Sequence, residues 1–186
     1  MIQIAPRPLD HPDIKRAYAD LAEYTHLLFT SKNSVKVFLG HLALMGQPIQ
    51  MLLTKTVVAI GEVTASHLRA AGLPPQFVSL EETQEGVVQL LQGVNLKGAY
   101  FFMPRSCLAR PVLVNFFEQQ QIRCCALDVY DTLFQAPTLK PDLNEVDVVV
   151  FTSPSTVRAF VEIFGKLPEE ARCLAIGPVT AQAMVR

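Results

Sequence analysis

"FTSKNSVKVF" occupies residues 29–38, and "FTSPSTVRAF" occupies residues 151–160, 122 positions later. Phe29, Thr30 and Ser31 match Phe151, Thr152 and Ser153, while Val35 and Phe38 match Val157 and Phe160. A second pair follows in the same order: "AIGEVTA" at 59–65 and "AIGPVTA" at 175–181, spaced by 116. The six-residue difference in spacing is an insertion of the kind a surface loop accepts. Two ordered matches with one gap describe two similarly built domains.

The rest of the chain supports that reading. Short apolar runs at 26–30, 56–60, 76–80, 99–103, 123–130, 146–152 and 172–176 have strand length, and amphipathic stretches follow most of them. Val35, Phe38, Leu39 and Leu42 form one helical stripe, and Val157, Phe160, Val161 and Phe164 repeat its spacing. Gly72 suits the end of a helix running from about Thr64, and Pro111 suits the first turn of "PVLVNFFEQQQ". Near-continuous apolar strands alternating with helices predict an α/β fold: two similar domains with parallel sheets flanked by helices. The Pro-rich start and the run "LDVYDTLFQAPTLKP" at 127–141 read as connections. The expected boundaries are a middle domain at 10–127, a second at 136–186, and linker strands at 1–9 and 128–135.

Composition narrows the function. Half the residues are hydrophobic and the net charge is −1, so the chain can bury a core but has no global attraction for nucleic acid or anionic membranes. No run of 18 apolar residues and no signal-peptide pattern is present, and Cys107, Cys124, Cys125 and Cys173 form no CxxC pair. Reduced thiols in a cytoplasmic protein are the plain expectation. Dinucleotide, P-loop, HExxH and GxSxG motifs are absent.

The repeated signals share a place at the C-terminal ends of strands, just before helices, where open parallel sheets bind ligands. Helix starts there offer free N–H groups and a positive dipole end to carboxylates or phosphates. Ser153 followed by Pro154 also reads as a plain helix cap with Pro in the first turn. Lys32, Lys36, Arg105, Arg110 and Arg158 could form a basic rim; for Lys36 and Arg158 a solvated helix face is the competing reading.

The set FTS-x-N-S-V, IG-x-V-TA twice, "VYDT" between the halves and FTSPS-x-V-R-A-F resembles the uroporphyrinogen-III synthase family over nearly the whole chain. The resemblance implies two α/β domains joined by a two-stranded linker, with a cleft between them. It implies cyclisation of hydroxymethylbilane, a linear tetrapyrrole with eight carboxylates, to uroporphyrinogen III. Water is lost and ring D is inverted, with no metal or organic cofactor. It carries substrate contacts to Thr30, Ser31, Asn33, Gly61, Thr64, Arg105, Thr152, Ser153, Ser155, Gly177 and Thr180. Tyr130 of "VYDT" becomes the candidate general acid, with a linker aromatic packing the hinge as the other reading. A monomer without nucleic-acid or membrane partners is expected. The alternative is a non-catalytic two-domain module that binds an anionic ligand. Family members carry further elements before the position of Ile2 and after the second IG-x-V-TA helix. The resemblance therefore leads us to expect a fragment, less stable and less active than a complete chain.

Overall fold

Strands β1 (Ile2–Pro6), β2 (His26–Phe29), β3 (Thr56–Ala59), β4 (Phe77–Val78), β5 (Tyr100–Ser106) and β6 (Arg123–Phe134) form one sheet in the order β1-β6-β5-β2-β3-β4. The computed structural model describes residues 2–139 and 141–185. The expected domain limits at residues 1 and 186 lie outside these. Four neighbouring pairs, from β6 through to β4, run parallel. Parallel pairing requires crossovers, and the intervening helices supply them. These are α1 (Pro12–Ala19), α2 (Lys32–Leu44), α3 (Gly61–Ala70), α4 (Gln84–Gln92) and α5 (Val112–Gln119).

The strand sequences explain why both faces are covered. Leu27 and Leu28, Val57 and Val58, and Phe101 and Phe102 are adjacent pairs with no exposed surface at all. Adjacent strand residues point to opposite faces, so each pair needs packing on both sides. Leu28, Val58, Phe101 and Met103 pack with Val87 and Leu91 of α4 and with Leu113 and Phe117 of α5. Phe102 meets Tyr18 of α1 and Phe38 of α2 at ring-centroid separations of 5.7 Å each.

The chain forms two compact units, Pro6–Asp131 and a discontinuous one of Met1–Ala5 with Thr132–Arg186. The discontinuous unit holds β7 (Val148–Phe151) and β8 (Arg172–Ala175), a parallel pair, with α6 (Pro154–Phe164) and α7 (Pro178–Met184). Its core is small: Phe151, Val157 and Phe160, with partly buried neighbours such as Val149, Phe164 and Cys173. Val148, Val150, Leu174 and Ile176 alternate with these inward residues and are 43–71% exposed.

Candidate functional site

Ser31 and Ser153, the matched serines of the repeat, occupy matched positions. Ser31 caps α2 with φ −166° and ψ 155°, and Ser153 caps α6 with φ −167° and ψ 160°. Ser31 Oγ accepts from the Ser34 N–H at 3.0 Å, and Ser34 Oγ donates to the Ser31 carbonyl at 2.7 Å. In α6 the Thr156 N–H donates to Ser153 Oγ at 3.3 Å, while the Ser153 N–H donates to Thr156 Oγ1 at 3.2 Å. Ser155 adds a hydroxyl contact to Ser153 at 2.9 Å. Cap chemistry thus accounts for the choice of serine at both places. Capping does not exhaust Ser31, because its Oγ also lies 3.2 Å from the Tyr130 hydroxyl.

Tyr130 sits on β6 and is 5% exposed. Its neighbour across the sheet is set by an irregularity. Arg105 of β5 pairs with Asp128, but Ser106 pairs with Tyr130, so Val129 is the extra residue. Such a shift re-aims side chains and recurs beside functional sites. Here it sets Ser106 opposite Tyr130 in the strand pairing. Burial pushes the phenol's pKa above its ordinary value, outweighing the two serines, which pull it down. The group is therefore a protonated donor at neutral pH. Asp131, next in the chain, is engaged elsewhere: Arg7 Nη2 donates to it at 2.8 Å and holds its carboxyl below the usual range. The candidate site residue that sequence reasoning missed is Ser106. The strand-end stretch "PRSCLAR" stands out in the sequence, but a register shift leaves no mark in residue spacing.

The two IG-x-V-TA loops prove less alike than their sequences. Gly61 opens α3 at φ +73°, a left-handed value suited to glycine, and a Cβ there would collide with the Glu82 side chain. Gly177 instead caps α7 in extended backbone, φ −168°, with open space around it. Thr64 and Thr180 follow in the first turns of α3 and α7 and are 3% and 4% exposed. Thr30 and Asn33 are half-buried beside Ser31, and Thr152 is exposed beside Ser153.

Arg105 stands apart from the phenol and serines. Its Nε donates to Asp128 at 2.8 Å, and it lines a cavity of about 470 Å³ with Arg7, Arg16, Tyr24 and Tyr100. Arg110 is likewise engaged, bridging both oxygens of Glu85 at 2.6 and 2.7 Å. The basic rim expected from the sequence is thus partly spent on internal ion pairs. Among the described residues, no helix is long and apolar enough to cross a membrane.

Comparison with known proteins adds a family to this geometry. A uroporphyrinogen-III synthase from Chlorobaculum parvum is 29% identical over 175 residues, which is 89% of this chain and 71% of that protein. The porphyrin biosynthesis protein HemD of Ruminiclostridium josui is 25% identical over 192 residues, covering 98% of this chain and 37% of that longer protein. The fold is similar to that of a mutant uroporphyrinogen III synthase from Thermus thermophilus, with TM-score 0.71, 21% identity, and coverage of 99% of this chain and 76% of that one. It is also similar to the synthetase from Helicobacter pylori, with TM-score 0.70, 23% identity, and coverage of 100% and 79%. The family model for uroporphyrinogen-III synthase HemD matches residues 1–186. The chain belongs to the uroporphyrinogen-III synthase family.

Proposed function

We propose that the protein closes hydroxymethylbilane to uroporphyrinogen III, with loss of water and inversion of ring D, and that Tyr130 is the general acid. The observation that carries the assignment is the buried, protonated phenol bonded to the strand-end serine Ser31. The terminal hydroxymethyl group must lose its oxygen. A pyrrole nitrogen lone pair pushes the C–O bond apart, and the oxygen leaves as water by taking the Tyr130 proton. Inversion of ring D requires that the carbon so activated be attacked by the ring D carbon that already bears the bridge; that bridge bond then breaks and re-forms at the free α-carbon of ring D, whose proton can return to the phenolate. The bilane must be folded so that the correct carbons meet, and positioning carries much of the rate.

Eight carboxylates in a substrate of a protein with net charge −1 call for local holding groups. The starts of α2, α3, α6 and α7 supply N–H groups, with Thr30, Ser31, Asn33, Gly61, Thr64, Thr152, Ser153, Ser155, Gly177 and Thr180 around them. Arg105 belongs in that set only if substrate draws it from Asp128. We read residues 10–127 and 136–186 as the two domains and 1–9 with 128–135 as their linker. The protein is a cytoplasmic monomer that uses no cofactor and binds neither nucleic acid nor membrane. Incubation with hydroxymethylbilane, oxidation, and separation of isomers I and III tests the reading. Isomer III above the level formed without protein supports it, and the same I-only product with and without protein overturns it.

A further inference from the structure

We infer that the groove between the ends of α4 and α5 is a binding site for a small organic acid with an apolar body, its carboxylate held by Arg123 and Lys97. The groove lies at the edge of the sheet where β5 and β6 begin. Tyr130 stands further along β6, about 23 Å away at the usual rise per strand residue, so this site is separate from the strand-end one. The inference does not rest on the reaction proposed above.

The cavity measures about 580 Å³, a size that takes a small molecule. Its floor is apolar: Leu91 and Phe116 belong to the buried core, and Leu96 and Ile122 are partly buried against it. Its rim is positive, because Lys97 and Arg123 line it and no carboxylate does. Among the described residues neither cation has an ion pair. Arg123 Cζ lies 3.9 Å from the centre of the Tyr100 ring, a contact that steadies the guanidinium and leaves its N–H groups for a carboxylate. Cations at this edge have a competing use, since helix C-termini carry partial negative charge. Here main chain already closes those ends. The Leu90 and Leu91 carbonyls accept from the Gly93 and Val94 N–H groups, and the Phe116, Phe117 and Glu118 carbonyls accept from Gln120, Ile122 and Gln121.

Gln121 supplies an independent mark. It stands at φ +54°, and among the described residues it is the one non-glycine in the left-handed region. Glycine takes that turn after a helix without steric cost. The chain instead keeps an amide side chain, which lines the cavity and can donate to the same carboxylate. An inorganic anion would leave the apolar floor uncovered, and a neutral hydrocarbon would leave both cations unpaired. A carboxylate on an aliphatic or aromatic body satisfies both.

The test titrates the nitrogen-15-labelled chain with octanoate, below the concentration at which it forms micelles, and follows the amide shifts by NMR. The shifts should saturate and centre on residues 96–99 and 120–123. 1-Octanol, the same body without the charge, should bind about tenfold more weakly. Arg123→Gln should weaken octanoate binding roughly ten- to a hundredfold, the worth of a hydrogen bond to a charged group. Lys97→Gln should weaken it about threefold or more, and it carries the test if the Arg123 variant fails to fold. Parental affinity in either folded variant, equal affinity for octanol and octanoate, or no saturable shift overturns the inference. Shifts centred on Ser31 and Tyr130 overturn it too, because they would put the carboxylate at the strand-end site.

Discussion

Tyr130 and His41 are both buried titratable residues, and burial moves them in opposite directions. Desolvation disfavours the charged form, so the phenol's pKa rises and the imidazole's falls. His41 Nδ1 lies 3.1 Å from the Tyr18 hydroxyl, and the ring also bonds main chain at Arg7. His26 is lowered by desolvation as well. Below the ordinary imidazole value of 6.5 the unfolded chain takes up protons that the folded chain resists. Stability should therefore fall as pH is lowered through that value, and be unaffected by these groups above it. Melting curves between about pH 7.5 and 5.5 check this: the parent should lose melting temperature toward acid, and His41→Gln should lose less. An identical slope in both would remove His41 from the account. At this scale the sequence carried Ser31 and Tyr130, because their motifs are contiguous. It did not carry Ser106, which a register shift between β5 and β6 sets opposite Tyr130, nor Arg105's engagement with Asp128.

At the scale of elements, the serine caps separate structure from chemistry. Ser31 and Ser153 hold equivalent positions on α2 and α6, and Ser31 is also bonded to Tyr130. Replacing either by alanine removes a cap, at a cost of about 1 kcal/mol. Ser31→Ala and Ser153→Ala should thus lower melting temperature by similar amounts. Ser31→Ala should also lower kcat, whereas Ser153→Ala should act through KM. Steady-state kinetics on hydroxymethylbilane decide it, and an equal kcat loss in both variants would contradict the division of roles. Most strands were legible because their apolar runs are continuous: 26–30 against β2 and 172–176 against β8 differ by a residue at most. Helix α1 was not legible, since Pro12, Asp13, Lys15 and Arg16 dilute its apolar stripe and its placement depends on Ile14, Ala17 and Tyr18 meeting the sheet. The run at 76–80 was overread, because only Phe77 and Val78 pair with β3. The long β6 reads in the sequence as two overlapping pieces, the apolar run 123–130 and the linker strand 128–135, where the structure has one strand.

At the scale of the whole molecule, the two compact units differ in the core each can bury. The continuous unit covers both faces of its sheet, whereas the discontinuous one rests on Phe151, Val157 and Phe160 between two strands and two helices. Native-state hydrogen exchange should therefore find lower opening free energies in β7, α6 and β8 than in β2, β3 and β5. Equal protection across both sets would mean that the chain opens as one body. The sequence repeat anticipates the matched serine caps at Ser31 and Ser153, yet it overstates the likeness of the IG-x-V-TA loops, where backbone conformation at Gly61 and Gly177 diverges. The central claim is that this protein directs ring closure through the Tyr130 proton. The family chemistry offers a direct reading, because hydroxymethylbilane left alone closes to isomer I. The measurement is the III:I ratio and rate for the parent and Tyr130→Phe at matched concentration, with a melting curve for each. The account predicts isomer III from the parent, and from the variant an unchanged melt with about 10²–10⁴-fold slower formation of III, so that isomer I takes over. A variant that melts normally and makes isomer III at the parental rate would contradict it.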